Sequence, residues 1–328
     1  MNRQNQILLV LLVIQVVLAA FIFYPSSSNP VMSGDTLFGE LEVDDIVSMT
    51  ITDDQENVIT LNKDGLDWIL ADADDFPADG SKITPILTDL VGLKTSRLVT
   101  RTDDSHKRLK LADDDFTRKV ELKTKDGTSH VIYLGSSPTT GATHVRRGDQ
   151  TEAYLTADVS SWKVGTTASS WIDALYLSVP SDEVTKITLK NGNGEFVFEK
   201  KEIEVESEDE ETTDLSNSEW LMVGLSEGES LDQSSVSAIL SRVSSVRMTS
   251  PLGKTAKATY GIIAPQAALT YEVAGKTYTL LVGAKLGENY VAKSSESDYY
   301  VEVSSYTVQS FIDNSLDNFL QKKPEDEG

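Results

Sequence analysis

The strongest constraint on the fold is that the chain runs through one pattern twice. The first pass opens with "IVSMTITDDQENVITLNKDGLDWIL" (residues 46–70). The second opens with "EVTKITLKNGNGEFVFEKK" (residues 183–201) and, after an insertion, "SEWLMV" (residues 218–223). Both read as strand, turn, strand, then a short strand carrying a tryptophan, Trp68 or Trp220. The apolar residues alternate with polar ones, the period of a sheet with one buried face.

Eleven residues past Trp68 stands Asp79, and twelve past Trp220 stands Asp232. Each precedes a helical pattern. Ile83, Ile86, Leu87 and Leu90 in one pass, and Val236, Ile239, Leu240 and Val243 in the other, follow the i, i+3, i+4, i+7 spacing of one helix face. Asp79 and Asp232 are expected to cap these helices by accepting their free N–H groups. Pro85 is expected near the first turn, where the backbone N–H lacks an intrahelical acceptor anyway.

The parallel continues. "KVELKTKDGTSHVIYLG" answers "ALTYEVAGKTYTLLVG", hairpins turning at Asp126-Gly127 and Gly275-Lys276 and ending at Gly135 and Gly283. "AYLTADVSSW" then answers "DYYVEVSSY", and "SSWIDALYL" answers "QSFIDNSLDNFL". Six matches in one order make an internal duplication. The expected architecture is α+β: two like domains, residues 41–180 and 181–320, each a mostly antiparallel sheet packed with one principal helix. Trp68 and Trp220 are expected between helix and sheet.

Ahead of the first pass, Ile7 to Tyr24 form an apolar run of 18 residues interrupted only by Gln15. At ~1.5 Å per residue such a helix spans about 27 Å, close to the hydrocarbon core of a bilayer. Arg3 precedes it and no Lys or Arg follows before Lys63, so the positive-inside bias puts residues 1–6 in the cytoplasm and the bulk outside. The expectation is one transmembrane anchor (residues 7–24) in the cytoplasmic membrane and a linker (residues 25–40). A cleaved signal peptide is the competing reading, with Ser26 and Ser28 at the cleavage site. An acidic insertion at 201–219 and a tail at 321–328 are expected to be solvated.

Fifty-two acids against 29 Lys and Arg leave a net charge of −23. That surface disfavours nucleic acid and anionic lipid. The absence of cysteine removes disulfides, thiolate metal sites and cysteine nucleophiles.

Individual motifs are weak. "GLSEG" (Gly224 to Gly228) has the form of a nucleophile elbow, but His106, His130 and His144 all lie upstream of Ser226, against the expected chain order. "GKT" at Gly253 and Gly275 lacks the P-loop glycine five residues before, where Met248 and Thr270 stand. "NGNG" (Asn191 to Gly194) fits a tight turn. The acids of "LDWILADADDFPAD" (residues 66–79) lack calcium-loop spacing, and Asp72, Asp74 and Asp75 have no counterparts in the second pass, so they read as a solvated loop. No catalytic residue, metal ligand or cofactor site is assigned. The structural landmarks are Trp68, Asp79, Trp220, Asp232, Gly135 and Gly283.

These landmarks carry a family resemblance. The Trp68 strand followed by Pro77-Ala78-Asp79 and a helix, and the "YGIIAP" step (Tyr260 to Pro265) before a hairpin ending in "LVG", resemble the bacterial family known as domain of unknown function 4340. The first copy departs from the pattern, with "LKLADDDF" (Leu109 to Phe116) in place of the "YG…P" step, and the second has "SLD" in place of "PAD". The resemblance implies a companion of ABC-2-type transport systems, with permease or auxiliary subunits as protein partners and no family catalytic residues. The function expected is a membrane-anchored extracytoplasmic interaction protein, not an enzyme. The alternative is a glycan- or peptide-binding protein with Trp162, Trp171, Tyr299 and Tyr300 in a cleft.

Overall fold

The structure, a computed structural model, describes residues 34–202 and 218–322. The expected cytoplasmic tail, the anchor, residues 25–33 of the linker, residues 203–217 of the acidic insertion and residues 323–328 of the tail lie outside the described residues. Among the described residues no helix is long and apolar enough to cross a membrane.

The architecture is antiparallel sheet with few helices. Along the first pass run β1 (Ile46–Asp53), β2 (Val58–Asp64), β3 (Asp67–Leu70), β4 (Phe76–Ala78), α1 (Gly80–Val91), β5 (Leu98–Thr100) and α2 (Asp103–Leu109). A two-stranded pair, β6 (Leu111–Ala112) and β7 (Asp115–Phe116), leads to β8 (Arg118–Thr124), β9 (Ser129–Leu134), β10 (Thr143–Arg147) and β11 (Ala153–Thr156). After β12 (Leu175–Ser178) come β13 (Val184–Asn191), β14 (Gly194–Glu202), β15 (Ser218–Met222), α3 (Gln233–Val243) and β16 (Ser245–Gly253). Then follow β17 (Ala267–Val273), β18 (Lys276–Leu286), β19 (Asn289–Ser294), β20 (Tyr300–Ser304) and α4 (Ser305–Asp313).

The first large sheet has the order β4-β3-β2-β1-β8-β9-β10-β11-β5. The second, taken from its opposite end, is β15-β14-β13-β17-β18-β19-β20-β16-β12. Apart from one added edge strand each, β4 and β12, the two orders are the same. A tryptophan sits on the matching strand of each, Trp68 on β3 and Trp220 on β15, and a helix follows with its apolar side buried: Ile83, Ile86, Leu87 and Leu90 in α1, and Val236, Ile239, Leu240 and Val243 in α3. Each such residue taken out of water contributes about 1.5–3 kcal/mol before the entropy of ordering it.

The compact units do not follow the boundary at 180/181. Among the described residues, one comprises 34–45, Ile86–Glu121 and Lys125–Val164; the other comprises Ile46–Pro85, Leu122–Thr124, 165–202 and 218–322. Strands β1 to β4 therefore belong to the same unit as the whole second sheet, and long-range hydrogen bonds tie their loops to that unit.

Asp53, at the turn joining β1 to β2, makes one such tie. It is only 7% exposed. Burial pushes its carboxyl up, but Thr166 Oγ1 (2.7 Å), Asn57 Nδ2 (3.0 Å) and the N–H groups of Asn57 and Gln55 (both 2.9 Å) donate to it and outweigh that effect, holding it at about 2. A folded-state value below the ordinary 3.8 adds stability above pH ~3.8 that is lost as pH falls through about 2. Thermal melts of Asp53→Asn over that window should therefore show a shallower pH slope than the parent. Equal slopes would refute the assignment.

Three local expectations need correction. Leu37 and Phe38, inside the expected linker, are buried, and the Leu37 N–H donates to the Leu93 carbonyl at 2.7 Å. Two large apolar side chains in succession favour docking over solvation. Pro85 falls inside α1, just past the first turn, so one intrahelical bond is missing after all. The second hairpin turns at Ala274-Gly275, both at positive φ, with Val273 paired to Lys276. That is the two-residue turn whose twist suits the flanking strands.

Candidate functional site

The landmark residues hold the framework. The Asp79 carboxylate accepts from the Ser81 N–H (3.0 Å) and Ser81 Oγ (2.6 Å). The Asp232 carboxylate accepts from the Ser234 N–H (2.9 Å) and Ser234 Oγ (2.7 Å). The Ser81 hydroxyl holds the Asp79 carboxyl below the usual carboxylate range. Trp68 and Trp220 are buried. The Gln233 side chain, at the start of α3, both donates to the Trp220 carbonyl (2.8 Å) and accepts its N–H (3.0 Å).

Backbone bonds made by the two capping aspartates revise one sequence match. The Asp79 N–H donates to the Trp171 carbonyl at 2.7 Å, and the Asp232 N–H to the Phe319 carbonyl at 2.8 Å. Trp171 and Phe319 each end a short 3-10 turn, with N–H bonds of 2.9 Å back to Ala168 and Leu316. Trp171 therefore corresponds to Phe319, and the "SSWID"/"QSFID" match, which paired it with Phe311, is displaced by eight residues. The second copy has α4 where the first has only a 3-10 turn at Ser161–Lys163.

Gly135 and Gly283 are alike in what limits them. A Cβ on Gly135 would lie 2.2 Å from the Leu109 carbonyl oxygen, and one on Gly283 would lie 2.1 Å from that of Tyr260. In each copy the next residue is left-handed, Lys110 (φ 59°) or Gly261 (φ 66°). Leu109-Lys110 is thus the first copy's form of the "YG" step, with a lysine in the conformation that glycine adopts at least cost.

The acidic loop, expected to be solvated, is engaged through Asp74. Asp74 and Asp75 both adopt positive φ, 51° and 58°. The Asp74 carboxylate accepts from the Lys254 N–H (2.7 Å) and the Thr255 N–H (3.3 Å). The Lys254 N–H holds it below the ordinary carboxylate range, with Thr255 adding to the effect. Gly253, at φ 91°, permits the approach, since a Cβ there would be 2.5 Å from Asp74 Oδ2. Tyr299 completes the arrangement by donating its hydroxyl to the Asp75 carbonyl (3.0 Å) and setting its ring edge-on to Phe76. The "GKT" at Gly253 is an anion nest of successive N–H groups, already filled by the chain's own carboxylate.

The remaining motifs have plain accounts. Ser226 lies exposed in a turn, its N–H on the Glu229 carboxylate at 2.9 Å. The "NGNG" turn grips the end of α4, with Asn191 Nδ2 donating to the carbonyls of Phe311 (2.9 Å) and Asn314 (2.8 Å). His106 and His144 are buried against the carbonyls of Thr151 and Ser136, both at 2.8 Å. Among the described residues no three His, Asp or Glu side chains gather as metal ligands.

Of the four aromatics expected in a cleft, Trp171 is 1% exposed, and Tyr299 and Tyr300 are half-buried, Tyr300 against Tyr260. Trp162 alone is largely exposed, at 74%. Its counterpart in the "SSW"/"SSY" match is Tyr306, exposed at 86%. Each is the second residue of the helical turn that follows the matching strand, β11 or β20. Here an aromatic recurs in both copies without a packing duty. Sequence pattern alone cannot distinguish such a residue from a buried one.

One cavity of about 260 Å³ is lined by Lys119, Ser129, His130, Val131, Tyr133 and Arg147, with Gly148 and Asp149 beside them. Arg147 is engaged by Asp149 (Nε to Oδ1, 2.7 Å) and by the Leu37 carbonyl (3.3 Å), and its guanidinium lies over Phe38. His130 meets Phe38 edge-on, with ring centroids 5.7 Å apart. No side-chain hydrogen bond or ion pair engages Lys119 or His130 among the described residues. Sequence reading missed this cavity because its lining residues come from three strands and form no motif.

No curated protein and no solved structure matches the chain. A family model does match, from Trp68 at the end of the first hairpin to Glu227 beyond the second copy's tryptophan strand. Over residues 68–227 the chain matches the family described as Domain of unknown function (DUF4340), the one its landmarks resemble.

Proposed function

We propose that this protein is a non-catalytic interaction subunit, anchored to the cytoplasmic membrane by residues 7–24. Its duplicated α+β domains face the extracytoplasmic side and bind subunits of an ABC-2-type transport system. Trp162 and Tyr306 carry this reading. Tryptophan and tyrosine dominate the energetics of protein interfaces, and these two recur at matched positions while burying little of their own surface. The other residues matched between the copies are occupied as caps, core and close-packed glycines, which supports a scaffold rather than a reaction centre.

The test is purification of the full chain in detergent from its native membranes, beside the double variant Trp162→Ala/Tyr306→Ala. The parent should carry a permease or ATPase subunit with it. The double variant should lose about tenfold or more of that subunit while keeping the parent's melting temperature. Absence of transporter subunits from the parent preparation would remove the partner assignment, and equal recovery with the double variant would remove the role of the aromatics.

A further inference from the structure

Strand β5 ends the first sheet and leaves two apolar side chains well exposed, Leu98 at 40% and Val99 at 43%. Register identifies their counterparts in the other copy. Leu98 pairs with Tyr154, Tyr154 with Val145, and Val145 with Leu134, the residue before Gly135. Pro251 pairs with Val301, Val301 with Ala292, and Ala292 with Val282, the residue before Gly283. Leu98 and Val99 therefore match Pro251 and Leu252 of β16, which are buried and half-buried.

In both copies a short stretch lies outside this strand. In the second it is β12, where Leu175 bridges Arg247 and the Met248 N–H donates to the Ala174 carbonyl at 2.9 Å. In the first it is residues 34–37, where Thr36 bridges Lys94 and the Thr95 N–H donates to the Asp35 carbonyl at 3.0 Å. Ahead of β12, the 3-10 turn Ala168–Ser170 lies against β16. Ahead of Gly34 stand residues 25–33, in which Val31 and Met32 are the only large apolar side chains apart from the prolines. The Thr36 bridge is antiparallel, so the chain ahead of Gly34 is directed toward Leu98. Gly34 already lies on this edge, since a Cβ there would be 2.5 Å from the Ser96 nitrogen.

We propose that residues 29–33 dock along the outer edge of β5, with Val31 and Met32 covering Leu98 and Val99. The seat is the one that the Ala168–Ser170 turn takes on β16. Burial of apolar surface favours the docking, and it closes an edge that would otherwise invite pairing with another chain. Its consequence, though not the docking itself, rests on residues 7–24 being the membrane anchor. Docking then shortens the free tether from residues 25–33 to residues 25–28, from about 30 Å of reach to about 14 Å. The unit that contains β5 is thereby held close to the bilayer.

The chain has no cysteine, so Leu98→Cys gives the detergent-solubilised full chain a single thiol on β5. Maleimide should label that thiol about tenfold more slowly than in Val31→Asp/Met32→Asp/Leu98→Cys, the protection of a docked state favoured by about 1.4 kcal/mol. Hydrogen exchange should agree without any change on β5. In Val31→Asp/Met32→Asp the amides of residues 98–100 should exchange faster than in the parent, while those of residues 245–248 keep the parent's rate and report an intact fold. Equal labelling with and without the two aspartates would overturn the docking. Slow labelling that survives the aspartates and quickens on dilution would overturn it too, by placing a second copy on the edge. Neither readout requires a transporter subunit, so the docking and the partner assignment stand or fall separately.

Discussion

Gly283→Ala should be among the most destabilising single-methyl changes in this chain, costing about 3 kcal/mol or more. The reason is space, not conformation. The new Cβ would sit 2.1 Å from the Tyr260 carbonyl oxygen, and the neighbouring backbone has little freedom to retreat. Tyr260 ends a 3-10 turn closed by left-handed Gly261, and Gln266 Nε2 donates to the Gly283 carbonyl at 2.8 Å. Gly135→Ala should behave alike, for the same reason in the other copy. Gly192→Ala is the control: nothing lies within 4 Å of its new Cβ, so the change should stay within about 0.5 kcal/mol. Urea melts of the full chain check all three. Similar midpoints for Gly283→Ala and Gly192→Ala would mean that the close approach does not exist.

Trp171→Ala should cost about 3–5 kcal/mol, the scale for removing a large aromatic from a packed core. Its side chain is 1% exposed, and its indole N–H donates to the Gly165 carbonyl at 2.9 Å. Its own carbonyl receives the Asp79 N–H, so the cavity would open beside the start of α1. Trp171→Phe should recover part of the loss, because the six-membered ring returns while the rest of the indole volume and its bond are missing. Trp162→Ala, at an exposed site, should leave the melt within about 0.5 kcal/mol of the parent. If the Trp171 and Trp162 variants melt alike, the placement of Trp171 in the core is wrong.

What the sequence discloses and what it hides separate by distance along the chain. The buried faces of α1 and α3 follow from 3.6-residue spacing alone, and the caps at Asp79 and Asp232 follow from residue type next to a helical run. Those signals are local. Asp74 is hidden because its partners, Lys254 and Thr255, stand about 180 residues away, and because its carboxylate fills the nest that the "GKT" motif forms. The correspondence of Trp171 with Phe319 is hidden for a different reason. "SSWID" and "QSFID" look alike as text, yet the backbone bond from each capping aspartate selects another pair. Lys110 defeats the "YG" pattern because a non-glycine residue accepts the left-handed turn. The exposure of Trp162 and Tyr306 depends on what fails to cover them, which no periodicity records.

The Asp74 nest bears on how the chain can be divided. A fragment starting at residue 181 would contain every strand of the second sheet except β12, yet it would leave the Lys254 and Thr255 N–H pair without its carboxylate and Tyr299 without the Asp75 carbonyl. A fragment ending at residue 180 would strand two aspartates in left-handed backbone with nothing to hold them there. The two halves share one strand order, yet the contacts exchanged between them deny each its independence. Splitting the polypeptide at its seam of symmetry would therefore yield two incomplete proteins.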